Sequence, residues 1–233
     1  MTTNFDPQLQ VIAQLRETKG KESETLAKIA ELEMVAGTDF TIIAKLNWEK
    51  AFVYQHLVMG QTDVGQNLKL MAESALKAHE IVEQNNLAEL KGDDYRFLGR
   101  IYDYQKNYPL AQSYYQQALD FYTAKNDPHV LEIKGFLSYN LVCQNKIDEG
   151  MSSAEQTFTE FDQNSLKQSD YYTWAVWKSG IFPRIIQSLS SQKADFDKVK
   201  MADYLAKSEA ILTNNYNFQF RLDEIAAAKN LLN

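Results

Sequence analysis

Two arginines four residues apart, Arg96 and Arg100, and three scattered histidines carry most of the reactive chemistry available to this sequence of 233 residues. On a helix, residues four apart share a face. The pair would then present two guanidiniums together, a geometry suited to carboxylates. The ordinary alternative is that both are solvated or pair with Asp93 and Asp103 on their own helix, as exposed, weak ion pairs do. His56, His79 and His129 occur singly, and no Cys/His/carboxylate spacing resembles a metal site; each is expected to be a surface or packing histidine. The stretch GQTDVGQN, Gly60–Asn67, has the glycine spacing of a phosphate loop but lacks the lysine and the Ser/Thr that would hold phosphate and magnesium. It reads as a turn between helices. Asp93-Asp94 near a helix start is explained by the helix dipole. No G-x-S-x-G elbow occurs, and Cys143 has no recognisable catalytic partner; on a helix it is a small packing residue. The expectation is a protein that is not an enzyme, with no catalytic residue, no metal and no cofactor.

Composition narrows the partner. Net charge is −7 and no Lys/Arg-rich run interrupts the acidic background, whereas a phosphate-backbone binder needs a basic face. No nucleic acid is therefore expected as a partner. The first twenty residues, MTTNFDPQLQVIAQLRETKG, hold no apolar stretch of signal-peptide length, and no window approaches the roughly 20 apolar residues of a membrane span. The single cysteine fits a reducing compartment. A cytoplasmic protein with no membrane partner is expected.

The elements that must position these residues are helices. Glycine (9) and proline (4) are too scarce for an all-β fold, and apolar residues recur at i, i+3, i+4 and i+7. This periodicity predicts an all-α chain of about eleven helices, over 7–18, 22–36, 39–59, 64–85, 93–106, 108–123, 128–144, 147–162, 170–190, 198–213 and 218–232. Asp127 is a candidate N-cap with Pro128 at the first helical position, and Asn107 with Pro109 repeats that arrangement. Asn145-Lys146, Ser169-Asp170 and Asn214-Asn215 mark further turns. Gly180 and Pro183 inside 170–190 predict a kink or a break. Residues 191–197 read as an enlarged loop. The helix 218–232 sets Phe218, Leu222, Ile225 and Leu232 on a sparse apolar face, as an end cap would. No linker divides the chain, so a single domain over 1–233 is expected.

One segment carries a recognisable pattern. Tyr95-x-x-Leu98-Gly99-x-x-Tyr102 falls on one helix and Ala111-x-x-x-Tyr115-x-x-Ala118 on the next, thirteen residues from Leu98 to Ala111. The pattern resembles the tetratricopeptide repeat. With it as a ruler, further copies start at Leu137-Ser138-x-x-Leu141 with Gly150-x-x-x-Ala154, at Tyr171 with Trp174-Ala175, and at Trp48-x-x-Ala51 with Leu68, Ala72 and Ala75. Ile12-Ala13 with Thr25, Ile29 and Leu32 suggests a degenerate first copy. The approximate repeats are 7–36, 39–85, 93–123, 128–162 and 170–213. Small residues such as Gly99, Ser138, Gly150 and Ala175 would let paired helices approach closely.

The resemblance implies a right-handed superhelical α-solenoid of antiparallel helix pairs, with a protein or peptide partner held in a concave groove lined by the first helix of each pair. By the same resemblance the groove-facing positions are Glu49, Val53 and His56, then Arg96, Arg100 and Tyr104, then Tyr139 and Cys143, then Tyr172. The carboxylate clamp that some members of the family build from lysine and asparagine is not reproduced: one repeat offers Arg96 and Arg100, the next Gly135 and Tyr139. Two other functions share this architecture: a peptide-responsive bacterial regulator, and a structural subunit binding through its convex face. The sequence leaves the oligomeric state open.

Overall fold

The computed structural model describes residues 5–213 and 215–232; of the turn expected at Asn214-Asn215, Asn214 lies outside the described residues. Every regular element among them is helical, and none of these helices is long and apolar enough to cross a membrane. The chain forms two compact units divided between Gln105 and Lys106, a boundary that falls inside the segment 93–123.

The first unit contains α1 (Asp6–Arg16), α2 (Glu22–Ala36), α3 (Phe40–Met59), α4 (Val64–Gln84), a 3-10 turn at Ala88–Leu90 and α5 (Lys91–Tyr104). Neighbouring helices pack in pairs, α1 on α2, α2 on α3, α3 on α4 and α4 on α5. Two apolar clusters hold the unit together. One joins Phe5, Ile12, Ile29, Leu32, Ile42, Leu46 and Val53. The other joins Ala44, Trp48, Ala51, Met71, Ala75, Ala78, Val82, Phe97 and Ile101. The alanines of α3 and α4 keep side-chain bulk out of this second cluster, so Trp48 can lie flat on Phe97, with ring centroids 5.6 Å apart. The stretch Gly60–Asp63 forms the α3–α4 turn expected of it. Gly60 N bonds His56 O, Thr62 N bonds Leu57 O, and the Asn67 amide returns to Thr62 O at 2.7 Å.

The second unit contains α6 (Tyr108–Ala124), α7 (His129–Cys143), α8 (Ile147–Gln163), the single turn α9 (Leu166–Ser169), α10 (Tyr171–Ser179), α11 (Ile181–Ser191), α12 (Lys198–Ile211) and α13 (Gln219–Asn230). Its core gathers Val142, Ala154, Phe158, Phe161, Trp174, Phe182, Ile185, Leu189, Met201, Leu205 and Ile225's neighbour Ala228. The helix expected over 170–190 is two helices. Gly180 separates α10 from α11 and Pro183 sits in the first turn of α11, where a missing N–H leaves no intrahelical bond unmade. The one-turn α9 was not expected, and residues 192–197 form the anticipated loop. Phe218, at the N-cap of α13, and Ile225 are buried as expected, but Leu222 is exposed and Arg221 is buried instead, paired with Glu224.

The helix ends share one device. Asn86, Asn126, Asn145, Lys106 and Lys193 each follow a helix with φ between 51° and 63°. In four of these turns the next residue closes back on the helix: Leu87 N on Val82 O, Asp127 N on Tyr122 O, Lys146 N on Leu141 O and Ala194 N on Leu189 O. This is the Schellman bond that satisfies an orphan carbonyl. Asparagine tolerates the left-handed conformation better than most L-residues, which is why the turns were visible in the sequence. Asp127 Oδ1 accepts from His129 N at 2.9 Å, but α7 begins one residue later than expected, so Pro128 is the N-cap and Asp127 lies outside it.

Candidate functional site

The first unit draws several of the groove-assigned residues to one aromatic ring, Phe52 of α3. The Arg16 guanidinium carbon lies 4.3 Å from the ring centroid, that of Arg100 5.4 Å and that of Arg96 5.8 Å. Arg96 also lies 5.1 Å from the Phe97 ring. A guanidinium within about 6 Å of a ring face is attracted by the ring quadrupole, so Phe52 and Phe97 act as a platform for three cations from α1 and α5.

Polar partners fix these cations. Arg16 Nη1 donates to both oxygens of Glu49, at 3.0 and 3.2 Å, and its Nη2 pairs with Glu17 at 2.9 Å. Arg96 pairs with Asp93 one turn back at 3.2 Å, the neighbour that an ordinary surface reading anticipates, yet both Arg96 and Arg100 are buried. Arg100 Nη2 donates to Gln55 Oε1. Burial pushes the Glu49 carboxyl up, and the Arg16 charge pulls it back down. His56 is buried and its Nδ1–H donates to the Arg16 carbonyl at 3.1 Å. Burial lowers its pKa to about 4, so it enters the cluster as a neutral ring at neutral pH. Chemically, the arrangement is a cluster of three guanidiniums gathered about one aromatic ring, each already paired within the unit, Arg16 with Glu49 and Glu17, Arg96 with Asp93 and Arg100 with Gln55.

Placement of the other assigned residues differs. Val53 is 1% exposed and belongs to the α1–α3 core. Tyr104 is half-buried against the α3–α5 cluster. In the second unit, Tyr139 packs on the core, Cys143 Sγ lies 3.2 Å from Ser188 Oγ, and Tyr172 stacks on Phe218 with centroids 5.2 Å apart. These are packing contacts made with α11 and the approach to α13. The repeat-pattern residues Leu98, Gly99, Ala111, Tyr115 and Ala118 are buried, with Tyr115 stacked on Phe136, whereas Tyr95 and Tyr102 are half-buried.

Sequence reasoning missed Arg16, Phe52 and Gln55. Phe52 and Gln55 flank Val53 on α3, and the signal available was that Glu49, Phe52 and His56 recur at three and four residues. Arg16 lies 33 residues from Glu49 and gave no local signal. His129 is a packing histidine as expected, stacked on Tyr122 at 4.7 Å and bonded to Asp127. His79 is partly exposed, and its Nδ1–H donates to Asp94 Oδ2 at 2.8 Å. No protein-family model matches the sequence, and no curated protein matches it significantly.

Proposed function

We propose that this chain is a non-enzymatic interaction module of the tetratricopeptide type that holds an acidic or C-terminal segment of a partner protein against the face built from α3 and α5 of its first unit. The observation that carries the reading is convergence. Glu49 and His56 on α3 and Arg96 and Arg100 on α5 are assigned to one surface by the repeat pattern; Arg96 and Arg100 lie over the Phe52 ring together with Arg16, and Glu49 and His56 each bond Arg16. Arginine forks suit carboxylates because two parallel N–H bonds match the two oxygens, and an aromatic floor favours the methylene stems of an extended segment.

A peptide library displayed with free C-terminal carboxylates, and in parallel with amidated ends, tests this on the intact protein. Expected is a saturable subset of sequences whose affinity falls at least tenfold with Arg96→Ala plus Arg100→Ala, in a variant whose helical circular dichroism is preserved. Arg96→Lys plus Arg100→Lys should also weaken binding, since charge without the fork is insufficient. Unchanged binding in both variants removes the Phe52 cluster as the site.

A further inference from the structure

We propose that His79, Glu83 and Asp94 form a binding site for a divalent transition ion of the zinc class. The site uses none of the residues of the Phe52 cluster and stands independently of the function proposed above.

The three side chains come from two elements joined by the 3-10 turn. His79 and Glu83 lie one turn apart on α4, so they project from the same face. Asp94 comes from the first turn of α5. One donor atom from each lies within 4.8 Å of the others. His79 Nδ1 and Asp94 Oδ2 are 2.8 Å apart. Two ligands on a tetrahedral ion with bonds of about 2.1 Å sit about 3.4 Å from each other, so this pair needs to open by only about 0.6 Å to take an ion in place of the shared proton. Glu83 has a side chain 47% exposed, free to change rotamer and complete the set.

A second observation points to a ligand. Asp94 is 0% exposed, and its other carboxylate oxygen, Oδ1, is buried without a hydrogen-bond partner. Burying a carboxylate oxygen unsatisfied is costly, and a bound cation is the most direct way to satisfy it.

The donor set selects the ion. One imidazole nitrogen with two carboxylates is not the all-oxygen shell that calcium and magnesium prefer, whereas imidazole with carboxylate suits zinc and its neighbours. Two carboxylate charges balance a divalent ion. The half-exposed side of the cluster, His79 at 30% and Glu83, lets water fill the remaining positions. Lys91 donates to Glu83 Oε1. Its ammonium is the cation that a metal must displace, and it competes with the ion for Glu83.

Titration of the intact protein with zinc chloride by calorimetry, and with cobalt(II) by visible absorption, tests the assignment. Expected is one equivalent per chain, with a cobalt ligand-field band. Glu83→Gln, an exposed change that leaves the core untouched, should weaken affinity at least tenfold. His79→Ala should abolish the band. Lys91→Ala should tighten binding, because it removes the competing ammonium while leaving every ligand. No ligand-field band, an affinity unmoved by Glu83→Gln, or weaker binding in Lys91→Ala would each overturn the proposal.

Discussion

Replacing Gly150 by alanine probes the close approach of paired helices most directly. Gly150 is the fourth residue of α8 and faces α7. A methyl group there would stand 2.7 Å from Val142 Cγ2, 2.8 Å from Ser138 O and 2.9 Å from Val142 N. Two of those three atoms are backbone, so no rotamer change relieves them. Val142 is β-branched and fully buried, and its side chain has little freedom to turn away. The remaining response is for α7 and α8 to separate, loosening Val142 and Ala154 together and disturbing the Ser138–Ser153 hydroxyl bond of 2.9 Å. Overpacking of this kind costs about 1–3 kcal/mol. Alanine returns up to about 1 kcal/mol as a better helix former than glycine, which leaves a net loss of about 0–2 kcal/mol, at the upper end here because two of the three clashing atoms are backbone.

Gly65 is the internal control. It lies in the first turn of α4, and an added methyl group would meet nothing within 4 Å. Gly65→Ala should therefore stabilise by up to about 1 kcal/mol. In thermal unfolding followed by circular dichroism, each kcal/mol moves the midpoint by about 2–4 °C at this chain length. Gly150→Ala should melt below the parent and Gly65→Ala at or above it. If Gly150→Ala were as stable as the parent, the argument that a small residue sets the α7–α8 distance would fail.

Two further outcomes follow from single residues. His56 holds a pKa of about 4 in the folded chain against an ordinary 6.5; the unfolded chain takes up a proton that the folded one refuses, so its contribution to stability is lost as pH falls from 6.5 towards 4, by roughly 3 kcal/mol. His56→Asn, which keeps an N–H donor and cannot titrate, should show a flatter urea midpoint over that window, and identical pH profiles would refute the assignment. Lys193 carries φ 54° after α11 with no asparagine or glycine to ease it, so Lys193→Gly should stabilise by about 1 kcal/mol; a lower unfolding midpoint would show that the left-handed turn is not strained.

How far the sequence could be read depends on how local each cause is. Helix ends at Asn126, Asn145 and Asp170 were legible because their mechanism sits within a few residues: a left-handed asparagine, or an aspartate whose Oδ1 accepts from Thr173 N three residues on. The break at Gly180 was legible for the same reason. Its consequence, a proline accommodated in a new first turn, followed from where α11 begins. The stripe on α13 was misread because Leu222 and Arg221 are adjacent and only packing decides which faces inward. Burial of Arg221 depends on Gly180, where an added methyl group would lie 2.5 Å from the guanidinium.

The candidate sites divide along the same line. Helical spacing by itself determined that Arg96 and Arg100 share a face and that Glu49 and His56 belong to one helix, because a rise of about 1.5 Å per residue fixes those relations without any fold. Tertiary structure alone decided that Arg16 reaches Glu49 across 33 residues, that Phe52 lies beneath three guanidiniums, and that Asp94 is buried against His79. Those relations depend on which helices pack as neighbours and at what rotation. That choice is made by the burial of Trp48, Met71 and Phe97 in a shared core, not by any spacing along the chain.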